Sequence, residues 1–239
     1  MRKICAGDSC SGVSTVAGSH VAGSTNGSSL SSKFTALLGI FGKATTPTST
    51  SPFYLADGGN NMIRSWDGAN VATYAGSGTR GLLNGYRTSA QFGAPVKAAW
   101  DASGNMYVTD TDNFVVRKID AAGNVTTFAG TGQEGLVNGP GSQAQFRFPT
   151  GIVFNPADNY LYVADAHNNV IRRIDLAGNV STYAGTGTGG LTNGARSQAQ
   201  FMGPTNLVIF SGSMFISDTL NNVIRRIDMS TGTVYTYIS

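Results

Sequence analysis

Four aspartates and four arginines recur along the chain at one spacing and form its most regular charged pattern. Each arginine follows its aspartate by seven residues, and successive aspartates lie 53, 55 and 53 residues apart. The pairs are Asp57 with Arg64, Asp110 with Arg117, Asp165 with Arg172, and Asp218 with Arg225. Carboxylates around a channel would suit Ca²⁺, whereas Asp–Arg pairs can hold turns through charge-assisted hydrogen bonds. Because the pairs occur in every repeat, we interpret them as structural and keep the calcium site as the alternative.

Other groups that catalysis commonly uses are sparse. His20 and His167 are the two histidines, which is too few for a three-histidine zinc site. No Gly-x-Ser-x-Gly nucleophile elbow occurs. Cys5 and Cys10 flank a Gly-Asp-Ser turn, so we predict a disulfide across a hairpin, with two unrelated buried thiols as the alternative. We therefore predict no catalytic residue, no cofactor and no metal.

The charged pairs fall within a repeat of roughly 54 residues. Short runs of β-branched and aromatic residues alternate with Gly-, Asn- and Asp-rich turns, and no run is long enough for a helix. In the third repeat the predicted strands are 151–154, 160–164, 170–174 and 180–183. Four antiparallel strands per repeat make one blade, so the sequence predicts an all-β fold, a β-propeller.

The strand phase predicts one propeller over residues 1–239, with four complete blades and a half blade. The half blade is 1–18, and the blades are 19–76, 77–130, 131–185 and 186–239. A Thr/Ser/Pro-rich insertion at 44–52 interrupts the first blade. The half blade lacks its inner strands. A longer chain or a second subunit would supply them. The remaining alternative is that four blades close alone, with the two strands of the half blade to spare. Supply by a second subunit would be self-association through unpaired strands and would build a fibre.

A Gly-rich connection follows the fourth strand of a blade and ends in Ala-Gln-Phe. We predict that Phe92, Phe146 and Phe201 of these connections pack between adjacent blades. The segments 107–110, 162–165 and 215–218, each followed by its arginine, and the Pro-Thr entries at 149 and 204 resemble the NHL-repeat propeller family across essentially the whole chain. The resemblance implies binding through one face or the loops, and the related propellers include zinc-dependent lyases and calcium-dependent hydrolases.

Three Asn-x-Ser/Thr sequons occur, at Asn26, Asn124 and Asn179. Asn124 and Asn179 occupy the same hairpin turn of successive blades, where a glycan would project into solvent, although Gly-Asn is also a good hairpin turn in itself. Together with the cysteines and the Thr/Ser/Pro-rich insertion, the sequons favour an extracellular or cell-surface glycoprotein. Because no apolar signal region follows Met1, we expect the chain to be part of a longer secreted precursor.

The net charge of +3 is a mild basic excess and does not demand nucleic acid. Basic pairs recur, as in Arg172-Arg173, but adjacent strand residues point to opposite faces and would not make one phosphate-binding patch. No apolar stretch reaches the ~20 residues that span a bilayer, and 35–42 is interpreted as a buried strand.

The sequence as a whole predicts a non-enzymatic binding or scaffolding module, an adhesion module or a subunit of a surface assembly. It would contact proteins through the Gly-rich loops 77–89, 131–142 and 186–197. A cytosolic propeller that binds RNA or protein and a propeller hydrolase or lyase are the alternatives.

Overall fold

The structure, a computed structural model, describes residues 2–4, 13–43 and 52–238. Cys5, Cys10 and residues 44–51 of the Thr/Ser/Pro-rich insertion lie outside the described residues. The described chain consists of β-strands, turns and five short 3-10 turns, which confirms the predicted all-β propeller. No helix in these three segments is long and apolar enough to cross a membrane.

Each of the four blades contains four consecutive antiparallel strands, and in blades 1, 2 and 4 a two-residue strand of the preceding connection adds a fifth strand at the outer edge. The half blade is the pair β1 (Arg2–Ile4) and β2 (Val13–Thr15), and a two-residue strand β3 (Gly27–Ser28) follows it. Blade 1 contains β4 (Leu37–Gly42), β5 (Phe53–Asp57), β6 (Met62–Trp66) and β7 (Asn70–Ala75), and β8 (Gly85–Tyr86) follows. Blade 2 contains β9 (Pro95–Trp100), β10 (Met106–Asp110), β11 (Val115–Ile119) and β12 (Asn124–Ala129). Blade 3 contains β13 (Pro149–Asn155), β14 (Tyr160–Asp165), β15 (Val170–Asp175) and β16 (Val180–Ala184). Then come β17 (Gly194–Ala195) and blade 4, with β18 (Pro204–Phe210), β19 (Ser213–Asp218), β20 (Val223–Asp228) and β21 (Thr233–Ile238).

The four strands predicted for the third repeat are all present, each one to three residues longer than predicted. A 3-10 turn joins the second and third strands of every blade, as at Ala166–Asn168. The residue that follows this turn has a left-handed backbone conformation. That position is Asn169 in blade 3, with φ of 54°, and asparagine tolerates this conformation better than most residues. Asn61 and Asn222 occupy this position in blades 1 and 4, whereas Phe114 occupies it in blade 2, so the blade requires the left-handed conformation and asparagine is its commonest residue.

Apolar side chains fill the interfaces between successive blades. We call the side of a blade that faces the preceding blade its front face, and the opposite side its back face. Between blades 3 and 4, the back face contributes Tyr162, Ala164 and Ile171, and the front face contributes Leu207, Met214 and Ile216. Equivalent clusters join blades 1 and 2 and blades 2 and 3. Phe92, Phe146 and Phe201 lie in these clusters with no exposed surface, one at each interface.

Among the described residues, the arc of blades is open between blade 4 and blade 1. The first strands β4, β9, β13 and β18 lie side by side in that order, but β18 makes no comparable contact with β4. Val208 on the back of β18 and Ile40 on the front of β4 are consequently 55% and 52% exposed. The interpretation of 35–42 as a buried strand was wrong: the strand forms at Leu37–Gly42, but only Phe41 in it is buried. Its front face has no neighbouring first strand among the described residues.

Candidate functional site

Each predicted Asp–Arg pair forms a buried ion pair, which we call a clamp. The four carboxylates and four guanidiniums have no exposed surface, and their N–O distances are 2.8, 3.1, 2.8 and 3.0 Å from blade 1 to blade 4. A register shift between the third and fourth strands falls at every clamp arginine, as between Ile171 and Arg172. Such a bulge redirects a side chain, and here it directs the arginine toward the connection that precedes its blade.

In blade 3 the arginine binds the connection at two places, in its middle and near its end. Arg172 Nη1 donates to Asp165 Oδ2 and to the carbonyl of Gln145, both at 2.8 Å. Arg172 Nη2 donates to the carbonyl of Val137 at 2.8 Å and to Asn138 Oδ1 at 2.9 Å. Three of these four donations from one planar guanidinium fix a long loop whose own residues form little regular structure.

The clamp also stacks on the predicted anchor phenylalanine. The guanidinium carbon of Arg172 lies 4.9 Å from the Phe146 ring centroid, and the distances in the other three blades, to Phe34, Phe92 and Phe201, are 5.3, 5.2 and 5.1 Å. A guanidinium on a ring face adds a cation–π attraction to the ion pair. Phe92, Phe146 and Phe201 therefore each serve two contacts, one within the clamp and one between blades.

The clamp carboxylates are occupied by donors. Asp110 accepts hydrogen bonds from the Gly93 backbone at 2.6 Å, from Asn113 at 2.8 Å and from Arg117 at 3.1 Å. Burial raises the pKa of Asp110 to about 6, against the lowering effect of these three donors. Burial likewise raises the pKa of Asp165. Within residues 2–4, 13–43 and 52–238, no three His, Cys, Asp or Glu side chains gather as a metal site would require.

The sequence interpretation missed an asparagine that belongs to each clamp. Asn26, Asn84, Asn138 and Asn193 each accept a hydrogen bond from the clamp arginine of the blade that follows them, at 2.7 to 2.9 Å. The signal was present as an Asn-Gly pair in each connection. Asn26 is also a predicted sequon, and its Nδ2 donates to Thr73 Oγ1 at 3.2 Å. That sequon therefore lies on a side chain that already has a structural role.

The other two sequons lie in the hairpins at the opposite end of the blades. Asn124 Nδ2 donates to Asp120 Oδ2, and Asn179 Nδ2 donates to Asp175 Oδ2, each at 2.9 Å. Both asparagines are exposed. Their glycosylation remains a prediction.

The clamps hold a row of exposed apolar side chains on the connections. We call this row the apolar ridge: Leu82, Leu83, Leu136, Val137 and Leu191, which are 38 to 57% exposed. The connections lie beside the turns between the second and third strands, because each first strand begins opposite the end of its second strand. Leu82 lies against Gly132, and Leu136 lies against Gly187 one blade later, where a Cβ would come within 3.3 Å of the leucine. The ridge thus runs from one connection to the next.

The remaining candidate groups are dispersed. His20 is exposed near the half blade, and His167 stacks on Phe148 with ring centroids 4.2 Å apart. In the basic pair of blade 3, Arg172 is in the clamp, whereas Arg173 lies over the Tyr160 ring at 4.4 Å. The structure therefore separates the two members of that pair.

No protein-family model matches the chain. NHL repeat-containing protein 2 from Homo sapiens is 30% identical in a 174-residue alignment that covers 66% of this chain and 24% of that protein. The chain is an NHL-repeat propeller. Protein SUPPRESSOR OF QUENCHING 1, chloroplastic, from Arabidopsis thaliana is 27% identical in a 195-residue alignment that covers 75% of this chain and 18% of that protein. This NHL propeller therefore spans a quarter or less of the curated relatives it matches.

Solved structures share the fold of this NHL propeller. Virginiamycin B lyase from Staphylococcus aureus superimposes with a TM-score of 0.54 at 16% identity, over 85% of this chain and 56% of that chain. Every blade has its own clamp, so the clamp residues recur once per blade along the sequence. This recurrence makes the repeat recognisable although its copies lie far apart in the sequence.

Proposed function

We propose that this NHL propeller is a non-enzymatic protein-binding module and that the apolar ridge is its contact surface. The observation that carries the proposal is an exposed Leu at the same position of three successive connections, with an exposed Leu83 or Val137 directly after it in the first two. Contiguous exposed apolar surface on a soluble fold marks an interaction site more often than scattered apolar residues do. Each of the three connections accepts three hydrogen bonds from its clamp arginine, so the ridge is ordered before a partner binds, which limits the entropy lost on binding.

The partner that fits is a protein with an apolar, weakly charged surface. The ridge residues carry no charge. On this face Arg80 is paired with Asp112 and Arg147 with Glu134, so each of these two cations has an acidic partner. A phosphate backbone would need unpaired cations along the face. These features support a protein contact over RNA as the ligand of this face.

The proposal includes location outside the cytosol, as a subunit of a glycosylated surface assembly. Its support is the three sequons, of which Asn124 and Asn179 lie exposed in the hairpins of blades 2 and 3. Intact mass spectrometry of natively purified protein, before and after deglycosylation, tests this part. A mass that falls on deglycosylation is expected, and an unchanged mass would overturn the extracellular assignment without affecting the ridge.

The lyase that shares the fold has a catalytically inactive form in which one histidine is replaced by alanine. Here the two histidines lie apart, one exposed near the half blade and one stacked on Phe148. This arrangement supports a binding role over lyase chemistry.

A photocrosslinking residue at Leu83 or Val137 tests the ridge directly in the native source. We expect both positions to capture the same protein, and its purified form to bind wild-type propeller. Leu83→Asp with Val137→Asp should weaken that binding by about tenfold or more, because burying a charge in an apolar contact is costly.

Leu176 provides the matched control, since it is 41% exposed at the hairpin end of blade 3. Leu176→Asp should leave the affinity unchanged, and thermal unfolding should be similar for all variants. Equal capture from position 176, or unchanged affinity of the ridge variant, would refute the ridge as the contact surface. Salt-sensitive RNA binding that survives the ridge variant would instead support the nucleic-acid alternative.

A further inference from the structure

A cavity of about 370 Å³ lies between blades 3 and 4, at the end opposite the apolar ridge. Its polar wall includes Arg173, Arg196, Tyr183 and Asp158, and its apolar wall includes Ile209 and Met229. We call it the arginine pocket. It is separate from the clamps, whose arginines are wholly buried.

The two arginines of the pocket have no acidic partner. Neither guanidinium makes an ion pair or a hydrogen bond to any residue in the described part of the chain. Each lies instead on an aromatic ring: Arg173 is 4.4 Å from the Tyr160 centroid, and Arg196 is 4.8 Å from that of Tyr183. Stacking on rings holds the planar groups in place while leaving their N–H donors free for an acceptor in the cavity.

The single carboxylate in the wall is already engaged. Asp158 Oδ2 accepts a hydrogen bond from Tyr162 at 2.7 Å, and Oδ1 accepts one from the Tyr160 backbone at 3.2 Å. The Tyr162 ring in turn meets Tyr183 edge-on at 4.8 Å. Asp158 therefore positions the aromatic wall and, among the described residues, makes no ion pair with either guanidinium.

The same place between the other blades does not combine two arginines. Between blades 1 and 2, Arg87 lies over Tyr74 at 4.8 Å, but Ser65 stands where blade 3 has Arg173. Between blades 2 and 3, Lys118 is present, but Gly141 stands where Arg196 would be. The repeat itself therefore does not require the pair of arginines.

We propose that the arginine pocket binds a small ligand that bears a tetrahedral oxyanion, the group shared by phosphate and sulfate esters. Two planar guanidiniums match the charge and the bidentate geometry of such a group. Ile209 and Met229 offer apolar contact to the organic part of the ester. The site does not depend on the apolar ridge, so a failure of one proposal leaves the other standing.

Titration calorimetry with inorganic phosphate and, separately, with inorganic sulfate at constant ionic strength tests the pocket. We expect saturable binding of at least one anion to the wild-type protein, and the preferred anion identifies the kind of ester. Arg196→Gly and Arg173→Ser copy residues that this chain already uses at the equivalent places. Each should weaken binding by about tenfold or more, because a charge-assisted pair of hydrogen bonds is lost.

Arg87→Gly is the matched control, because it removes the equivalent arginine from an interface without the second one. It should leave the anion affinity unchanged, and Arg196→Lys should recover part of the loss. The NMR signal of Arg196 Nε–H should shift on titration, whereas that of Arg87 should not. No saturable binding of either anion, or equal losses in all three arginine variants, would overturn the proposal.

Discussion

The back faces of blades 3 and 4 carry the same type of side chain in the same register but have different surroundings. Tyr162 in blade 3 pairs with Val153 on one side and Arg173 on the other, and Phe215 in blade 4 pairs with Val208 and Arg226. Tyr162 is 1% exposed, because blade 4 covers it. Tyr183, the ring beside Tyr162, is 7% exposed, whereas Tyr237 in the equivalent place beside Phe215 is 55% exposed, because no described blade covers it.

The clamps do not share this difference. Arg225 in blade 4 is as buried as Arg172 in blade 3 and makes the same four donations. The comparison separates two kinds of stabilisation: a clamp is complete within one blade and its preceding connection, whereas a blade face depends on the next blade. The uncovered face of blade 4, comprising Val208, Phe215, Ile224 and Tyr237, is therefore the less stabilised part of an otherwise regular repeat.

The largest effect should come from the clamps and should be equal in both blades. Arg172→Met and Arg225→Met should each lower the free energy of unfolding by about 3–5 kcal/mol, because each leaves a buried carboxylate without its partner. Urea denaturation followed by circular dichroism measures this. Adding Asp165→Asn to Arg172→Met should recover part of the loss. A much smaller loss for Arg225→Met would mean that the clamp also depends on the following blade.

The faces should respond unequally. Tyr162→Ala should cost about 3–5 kcal/mol, since a fully buried aromatic ring leaves a cavity between blades. Phe215→Ala removes a half-buried ring with one aromatic neighbour and should cost about 1 kcal/mol. Tyr162→Phe controls for the hydrogen bond to Asp158. Equal losses at the two positions would show that the next blade adds nothing to the stability of the face.

The repeat made much of the fold predictable from the sequence. The spacing of Asp165 and Arg172, with runs such as 160–164 and 170–174 between turns, was enough to assign strands and blades. The clamp geometry was not predictable, because the bulge that turns Arg172 toward Val137 depends on how two strands pair. Sequence periodicity gives the order of strands but not their register shifts.

Exposure was the property that the sequence predicted least well. The segment 35–42 is apolar and was interpreted as buried, yet most of its strand is exposed. The apolar ridge was predicted only as Gly-rich contact loops, and its leucines were not singled out. In both places burial is decided by a neighbour distant in sequence, which a local pattern does not record. The arginine pocket likewise joins residues from two blades, so no single motif marks it.

A smaller effect should separate the two turns that follow the clamps. Asn169 Oδ1 accepts a hydrogen bond from the Gly203 backbone at 2.9 Å, across to blade 4. Asn222 occupies the same left-handed position, with φ of 57°, but has no such acceptor role within the described chain. Asn169→Ala should therefore cost about 1 kcal/mol more than Asn222→Ala, the value of one hydrogen bond, since both carry the same backbone penalty. Equal losses in urea denaturation would contradict this assignment.

The smallest effect concerns the hairpins between the third and fourth strands, which belong neither to the clamps nor to the faces between blades. The side chain and backbone of Asn124 hold the pKa of Asp120 below its usual value, and Ser230 does the same for the pKa of Asp228 in blade 4. A carboxyl with a lowered folded pKa contributes stability above its unfolded pKa and loses it as the pH falls through the folded value. Asn124→Ala should raise the pKa of Asp120 toward its ordinary value, because the side-chain hydrogen bond is lost. In the same variant Asp228 should keep its lowered pKa, although no described blade covers the back face of blade 4. Carboxyl-carbon NMR titration measures both groups, and an unchanged Asp120 in the variant would show that Asn124 is not the cause.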